Sequence, residues 1–158
     1  LDEMNDQIKH EMYSSYLYLS MSAHFEANNL TGFARWMRIQ AQEELEHAMK
    51  FFDYLVDRGG KIALQAIAQP PVEFGTPLVI FEQVLEHEQF VTARINTLYA
   101  LAVKESDFAS QVFLNWFVTE QVEEEKNASG ILETLKMIGD RSTALYQLDH
   151  QVGTRGAD

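Results

Sequence analysis

Arg58-Gly59-Gly60-Lys61-Ile62-Ala63-Leu64-Gln65-Ala66-Ile67-Ala68-Gln69-Pro70-Pro71-Val72-Glu73-Phe74-Gly75-Thr76-Pro77 is the stretch on which the topology turns. Its paired glycines are a helix stop. Thr76-Pro77 is a helix start, a capping hydroxyl followed by proline at the first helical position, where the missing N–H costs nothing. Between them, residues 61–75 show no apolar period and hold Pro70 and Pro71, so they read as a loop. Extended, a loop of about 16 residues reaches ~50 Å, whereas a helix of about 28 residues is ~42 Å long. The loop can therefore carry the chain from one end of a long helix to the other. A connection of this length is uncommon in a compact domain unless it has such a task.

The neighbouring links are short. Upstream, a first helix runs to about Asn28-Asn29, and Thr31 is placed to cap a second that ends at Gly59-Gly60. Downstream, a third helix ends near Glu105, and Ser106 or Asp107 caps a fourth that stops at Gly139. Ser142 then opens a short fifth helix, expected over 142–152. Links of about four and about two residues make antiparallel hairpins. Two hairpins joined by one long crossover predict an all-α, four-helix bundle with a short fifth C-terminal helix. A single domain over 1–158 is expected, with the bundle over 1–139.

Periodicity agrees with this division. Met4, Ile8, Glu11, Ser15, Tyr18, Ser22 and Phe25 alternate by four and three in the first segment. The same rhythm gives Phe33, Met37, Gln40, Glu44, His47, Phe51 and Tyr54 in the second, then Phe81, Leu85, Glu88, Thr92, Ile95, Tyr99 and Ala102 in the third. In the fourth it gives Leu114, Phe117, Gln121, Glu124, Ala128, Ile131, Leu135 and Ile138. Each is the inner stripe of a bundle helix.

Composition narrows the chemistry. There is no cysteine, which excludes disulfides, thiolate metal sites and thiol catalysis. The 24 acidic residues against 12 basic give a net charge of -12, a surface that keeps the chain soluble and disfavours nucleic acid and anionic lipid. No apolar run is long enough to span a membrane and no basic-then-apolar leader opens the sequence, so a cytoplasmic protein is expected.

Polar residues interrupt every inner stripe: Glu11, Glu44 with His47, Glu88, and Gln121 with Glu124. A lone glutamate on such a face is usually an edge residue reaching water. Four at one height are harder to place that way. Glu11 lies 18 residues before Asn29, and Glu44 lies 13 after Thr31; Glu88 lies 17 before Glu105, and Gln121 lies 14 after Asp107. Antiparallel hairpins set such positions at similar levels. Buried carboxylates cannot all stay ionised without a counter-charge, and no Lys or Arg lies on an inner stripe. Two divalent cations would balance Glu11, Glu44, Glu88 and Glu124. His47, three residues after Glu44, faces the same point. Carboxylates with one imidazole suit iron or manganese better than a thiophilic metal, although zinc would also bind.

Glu44-Leu45-Glu46-His47, within Gln42-Glu43-Glu44-Leu45-Glu46-His47, resembles the Glu-x-x-His ligand motif of ferritins. Glu11-Met12-Tyr13-Ser14-Ser15, His87-Glu88-Gln89 and the stretch from Trp116 to Lys126 resemble the other helices of prokaryotic non-haem ferritins, the ferritin-like di-iron carboxylate family. The resemblance implies a ferroxidase that oxidises Fe(II) with dioxygen or hydrogen peroxide at an intra-bundle di-iron centre and stores ferric mineral in a cage of 24 copies. Glu11, Glu44 and His47 would hold the first iron, and Glu44, Glu88 and Glu124 the second, with Gln121 beside it. Glu43, Glu120 and Glu123 resemble a third iron site, and Tyr18 a tyrosine next to the centre. Haem is not expected, because Leu45 stands where haem-binding relatives have Met, and Asn127 where they have a second histidine. Gln111 and Leu114 stand where animal ferritins line a threefold pore with acids. Leu145, Leu148 and Val152 are expected to supply a contact between copies at a fourfold axis.

Overall fold

The computed structural model describes residues 1–156 and contains five helices: α1 Asp2–Ala27, α2 Thr31–Asp57, α3 Pro77–Lys104, α4 Phe108–Ile138 and α5 Ser142–Val152. No strand occurs among the described residues. The chain divides into two compact units. One comprises Leu1–Gly75 together with the chain from Ile138 on, and the other Thr76–Met137.

In the first unit α1 and α2 pack antiparallel. The Ser15 hydroxyl donates to the Ala41 carbonyl at 2.6 Å, and the Ser22 hydroxyl to the Ala34 carbonyl at 2.7 Å. The two numbers of each pair move in opposite directions, as an antiparallel register requires. Two serines of the α1 inner stripe thus stitch the hairpin. Phe25 stacks on Phe33 at 5.1 Å near its turn, and Asn29 makes that turn with φ 60.

The loop after α2 is a strap laid along α1. Asn5 Nδ2 donates to the Lys61 carbonyl at 2.8 Å, and Asn5 Oδ1 accepts from the Ala63 amide at 2.9 Å. Gln65 bonds Asp6. Further on, the Ser20 hydroxyl donates to the Pro71 carbonyl at 2.6 Å, and His24 Nε2 lies 3.2 Å from the Gly75 carbonyl with its ring edge against Phe74. From Asn5 to His24 is ~28 Å of helix at 1.5 Å per residue. The strap therefore runs from the start of α1 to near its end, as the length of the loop anticipates. Polar side chains of α1 fix its otherwise unpaired backbone groups.

Helix ends follow the expected chemistry except at the starts of α2 and α5; in α5 Arg141 holds the cap position with no side-chain cap, and Ser142 is already the first helical residue. Gly59, at φ 71, closes α2: its N–H reaches the Val56 carbonyl, and the Gly60 N–H reaches the Leu55 carbonyl. Thr76 Oγ1 accepts from the Val79 amide at 3.3 Å, with Pro77 following. Asp107 rather than Ser106 caps α4, accepting from the Ser110 amide and hydroxyl, while Ser106 turns the chain at φ 54.

At the start of α2 the expected cap is Thr31. It lies inside α2 and caps nothing; Leu30 occupies the cap position. The cap comes from α5 instead. Asp149 Oδ1 accepts from the Phe33 amide at 2.8 Å, although the two residues are 116 apart in sequence. Contact is close enough that a Cβ on Gly32 would sit 1.7 Å from the Asp149 carbonyl oxygen. Gly153 also approaches, 2.8 Å from its own added Cβ to Gly32 Cα. A buried carboxylate from a distant helix displaced the local hydroxyl because α5 had to dock on this end of α2.

Docking also corrects the expected role of Leu148. It is buried within its own chain, as is Asp149, and Tyr146 is the large exposed side chain of α5. Leu114 is fully buried and cannot line a pore, while Gln111 donates to the Ala102 carbonyl. Gly130 lies in unbroken α4, and a Cβ there would meet nothing within 4 Å, so close packing does not account for it.

Candidate metal centre

Glu11 of α1 and Glu44 and His47 of α2 converge inside the first unit. They are 1%, 1% and 5% exposed, and their ligand atoms lie within 4.8 Å of one another. His47 Nδ1 is 3.2 Å from Glu44 Oε2 and 3.9 Å from Glu11 Oε2. Helical spacing makes this possible, since positions three apart share a face, and the serine-stitched register sets Glu11 opposite.

Each carboxylate is steadied by a glutamine one turn earlier. Gln7 Nε2 donates to Glu11 Oε1 at 3.0 Å, and Gln40 Nε2 to Glu44 Oε1 at 3.2 Å. Each glutamine leaves the other carboxylate oxygen for a different partner. Glu44 Oε2 faces His47, but Glu11 Oε2 is buried with no hydrogen-bond partner. A buried acceptor without a donor is costly, and a cation is what this donor set lacks. Without one, burial first and the nearby Glu44 second push the Glu11 carboxyl well above its usual range. Gln7 was missed by the sequence reading, though a signal existed: Gln7–Glu11 and Gln40–Glu44 repeat the same i,i+4 spacing.

In the second unit Glu88 of α3 and Gln121 and Glu124 of α4 are buried. Gln121 Nε2 donates to the Glu88 carboxylate at 3.2 Å, to the Glu88 carbonyl at 3.2 Å and to Thr92 Oγ1 at 3.1 Å. Thr92 in turn donates to Glu125 Oε2 at 2.5 Å. Gln121 therefore orients Glu88. Thr92, on the predicted stripe but given no task there, links the two helices beside it. Tyr18 is fully buried. Glu43 and Glu120 are half-buried and Glu123 is exposed; Glu43 pairs with Arg155 at 2.8 Å. His10, His24 and His87 are half-buried and His150 is exposed.

A family profile described as Ferritin-like domain matches residues 1–138. The chain belongs to the ferritin family. It is 46% identical over 152 residues to the bacterial non-heme ferritin of Bacteroides fragilis, covering 96% of this chain and 94% of that one. Against the bacterial non-heme ferritin of Staphylococcus saprophyticus it is 41% identical over 158 residues, covering 100% and 95%. Among solved structures, the open pore ferritin of the hyperthermophilic archaeon Archaeoglobus fulgidus superposes with a TM-score of 0.97 at 50% identity, over 98% of this chain and 95% of that chain. The fold class is accordingly that of the ferritins, all-α, a four-helix bundle with a short C-terminal helix. No described helix is long and apolar enough to cross a membrane.

Proposed function

We propose that this ferritin takes up Fe(II), oxidises it at a di-iron centre, and stores the ferric product as mineral inside a shell of 24 copies of the chain. The observation that carries the proposal is the buried Glu11, Glu44 and His47 set, with Glu11 Oε2 left without a donor. In this scheme Glu88 and Glu124 of the second hairpin complete the centre, within one domain spanning 1–158. Glu11, Glu44 and His47 hold one ferrous ion; Glu44, Glu88 and Glu124 hold the other. The four carboxylates balance two divalent ions, so burial ceases to be costly once both are bound.

Each Fe(II) gives up one electron, and the two electrons with two protons reduce dioxygen to hydrogen peroxide; peroxide itself, taking two electrons and two protons to water, is the alternative oxidant. The chain supplies position and charge, while the redox change belongs to the iron. Gln7, Gln40 and Gln121 each donate a hydrogen bond to one of these carboxylates, neutral contacts that let a carboxylate shift as the charge on iron rises. Gln121, which donates to Glu88, belongs to the metal site beside the second iron and orients water or dioxygen there, and Tyr18 supplies a buried phenol next to the centre. Glu43, Glu120 and Glu123 form a third iron position. The protein works in the cytoplasm without haem, nucleic acid or membrane.

Glu44→Ala tests the centre. Aerobic addition of ferrous salt to that variant should give no fast oxidation phase by absorbance, while circular dichroism stays that of the parent. Wild-type kinetics in a folded variant would end the proposal. Sizing the wild-type particle after loading separates storage, at thousands of irons per shell, from a site that stops at two or three per chain.

A further inference from the structure

Glu43 is met by a cation from the other end of the chain. Arg155 Nη2 donates to Glu43 Oε2 at 2.8 Å. Its Nη1 donates to the Trp36 carbonyl at 3.3 Å, and the guanidinium carbon sits 4.6 Å from the centre of the Trp36 ring. The Arg155 carbonyl accepts from Arg35 Nη2 at 3.1 Å. One residue on, a Cβ at Gly156 would lie 3.5 Å from Ile39 Cδ1. Trp36, Ile39 and Glu43 fall at i, i+3 and i+7, one stripe of α2. The segment after α5 thus follows that stripe, and its Arg155 side chain reaches the carboxylate directly before Glu44.

Three of these contacts do not involve Glu43. The Trp36 carbonyl, the Trp36 ring and Arg35 hold the guanidinium and its backbone where they are, so the positive charge stays whether or not Glu43 turns toward it. The Arg155 and Glu43 side chains are 21% and 37% exposed, so as a stabiliser of the fold the pair is weak. Its effect on a ligand is different. A metal ion that takes the Glu43 carboxylate must either displace Arg155 from Oε2 or share the carboxylate with it, and in both cases settles beside a fixed positive charge. Glu44 Oε1 accepts from the neutral Gln40 amide, a partner that brings no full positive charge to its carboxylate.

We propose that Arg155 is a positioning residue that holds Glu43 in reserve, competing with iron for its carboxylate so that the third iron position is the weakest and fills last. This rests on the assignment of Glu43 as an iron ligand above. It also ties that position to the segment after α5: anything that lifts this segment off α2 removes the competitor. The di-iron pair would then fill ahead of the third position because of the competitor as well as because of its own burial.

Anaerobic titration of the assembled, metal-free protein with ferrous iron, followed by calorimetry, tests the assignment without any turnover. Four proteins are compared: wild type, Arg155→Ala, Arg155→Lys and Glu43→Gln. Glu43→Gln should lose the weakest ferrous class. Arg155→Ala should bind that class about three- to tenfold more tightly, the range expected for removing one partly exposed charge-assisted hydrogen bond, with the tighter classes unchanged. Arg155→Lys should restore most of the wild-type weakness, since it returns the charge. A purely structural role for Arg155 would lower the melting temperature and leave the weak class where it was. If Glu43→Gln loses that class but Arg155→Ala does not tighten it, the competition is refuted and the ligand assignment stands. If Glu43→Gln keeps every class, the ligand assignment fails and the competition with it.

Discussion

Replacing Gly32 by alanine should undock α5. The new methyl would lie 1.7 Å from the Asp149 carbonyl oxygen and 2.6 Å from its carbonyl carbon. Both are backbone atoms inside a helix, so no rotamer change relieves the clash, and α5 must move away. Two stabilising terms go with it. The Asp149 cap on Phe33 is worth ~0.5–2 kcal/mol. Burial of the Leu148 side chain is worth ~1.5–3 kcal/mol. Alanine's better helix propensity in the first turn of α2 returns at most ~1 kcal/mol, so the steric loss dominates. An undocked α5 of 11 residues is too short to stay helical by itself. Arg141, just before α5, is a tryptic site whose cleavage requires local opening. With ~2–5 kcal/mol of docking lost, less the ~1 kcal/mol returned, cutting there should speed up at least about fivefold at ~1.4 kcal/mol per decade. Mass spectrometry of timed digests would read it. Cleavage at the wild-type rate, with an unchanged melting temperature, would mean that the close approach of Gly32 to Asp149 does not hold α5, and the cap assignment would fall.

Gly130→Ala should do the opposite: its Cβ meets nothing, so the exposed helix gains ~1 kcal/mol, readable as a rise of ~2–4 °C in the melting temperature, and a fall would reveal an unseen neighbour. Glu11 makes the metal-free protein pH-sensitive. Its carboxyl is raised above the usual 4.5 by burial and by Glu44, so its contribution is complete below that value and disappears as pH rises through the folded value. Melts of the metal-free protein should therefore weaken as pH rises above 4.5, Glu11→Gln should flatten that slope, and an equal slope in both would exonerate Glu11. Metal binding should release the Glu11 proton, seen as a calorimetric heat that varies with the ionisation enthalpy of the buffer. Deleting the residues after Arg141 should give smaller species by light scattering; an unchanged shell would show that α5 is dispensable for assembly.

What the sequence disclosed was what local spacing encodes. Thr76-Pro77, the glycine stops and the three link lengths marked out the helices and their order, and the alternating stripe named Glu11, Glu44, His47, Glu88, Gln121 and Glu124, all of which are buried. What stayed hidden depended on partners far along the chain. Thr31 looked like a cap because hydroxyls before a helix usually are, and nothing near it announces Asp149. Leu148 looked available because an amphipathic tail does not state which face its own chain will use. Leu114 stands where animal ferritins have an acidic pore residue, but its place on the α4 stripe argues for burial, and it is buried. Arg155 carries no local sign that it meets Glu43. Gln7 was legible and overlooked, its spacing to Glu11 being that of Gln40 to Glu44.

The bond between the Phe33 amide and Asp149 also orders events on the ribosome. The α1–α2 hairpin and its strap emerge whole while the residues that finish them are still being translated. Until then the opening turn of α2 has its Phe33 amide without that acceptor, and the Gly32 face is open. A nascent subunit thus carries a visible mark of incompleteness at the hairpin's tip, which only the arrival of α5 erases.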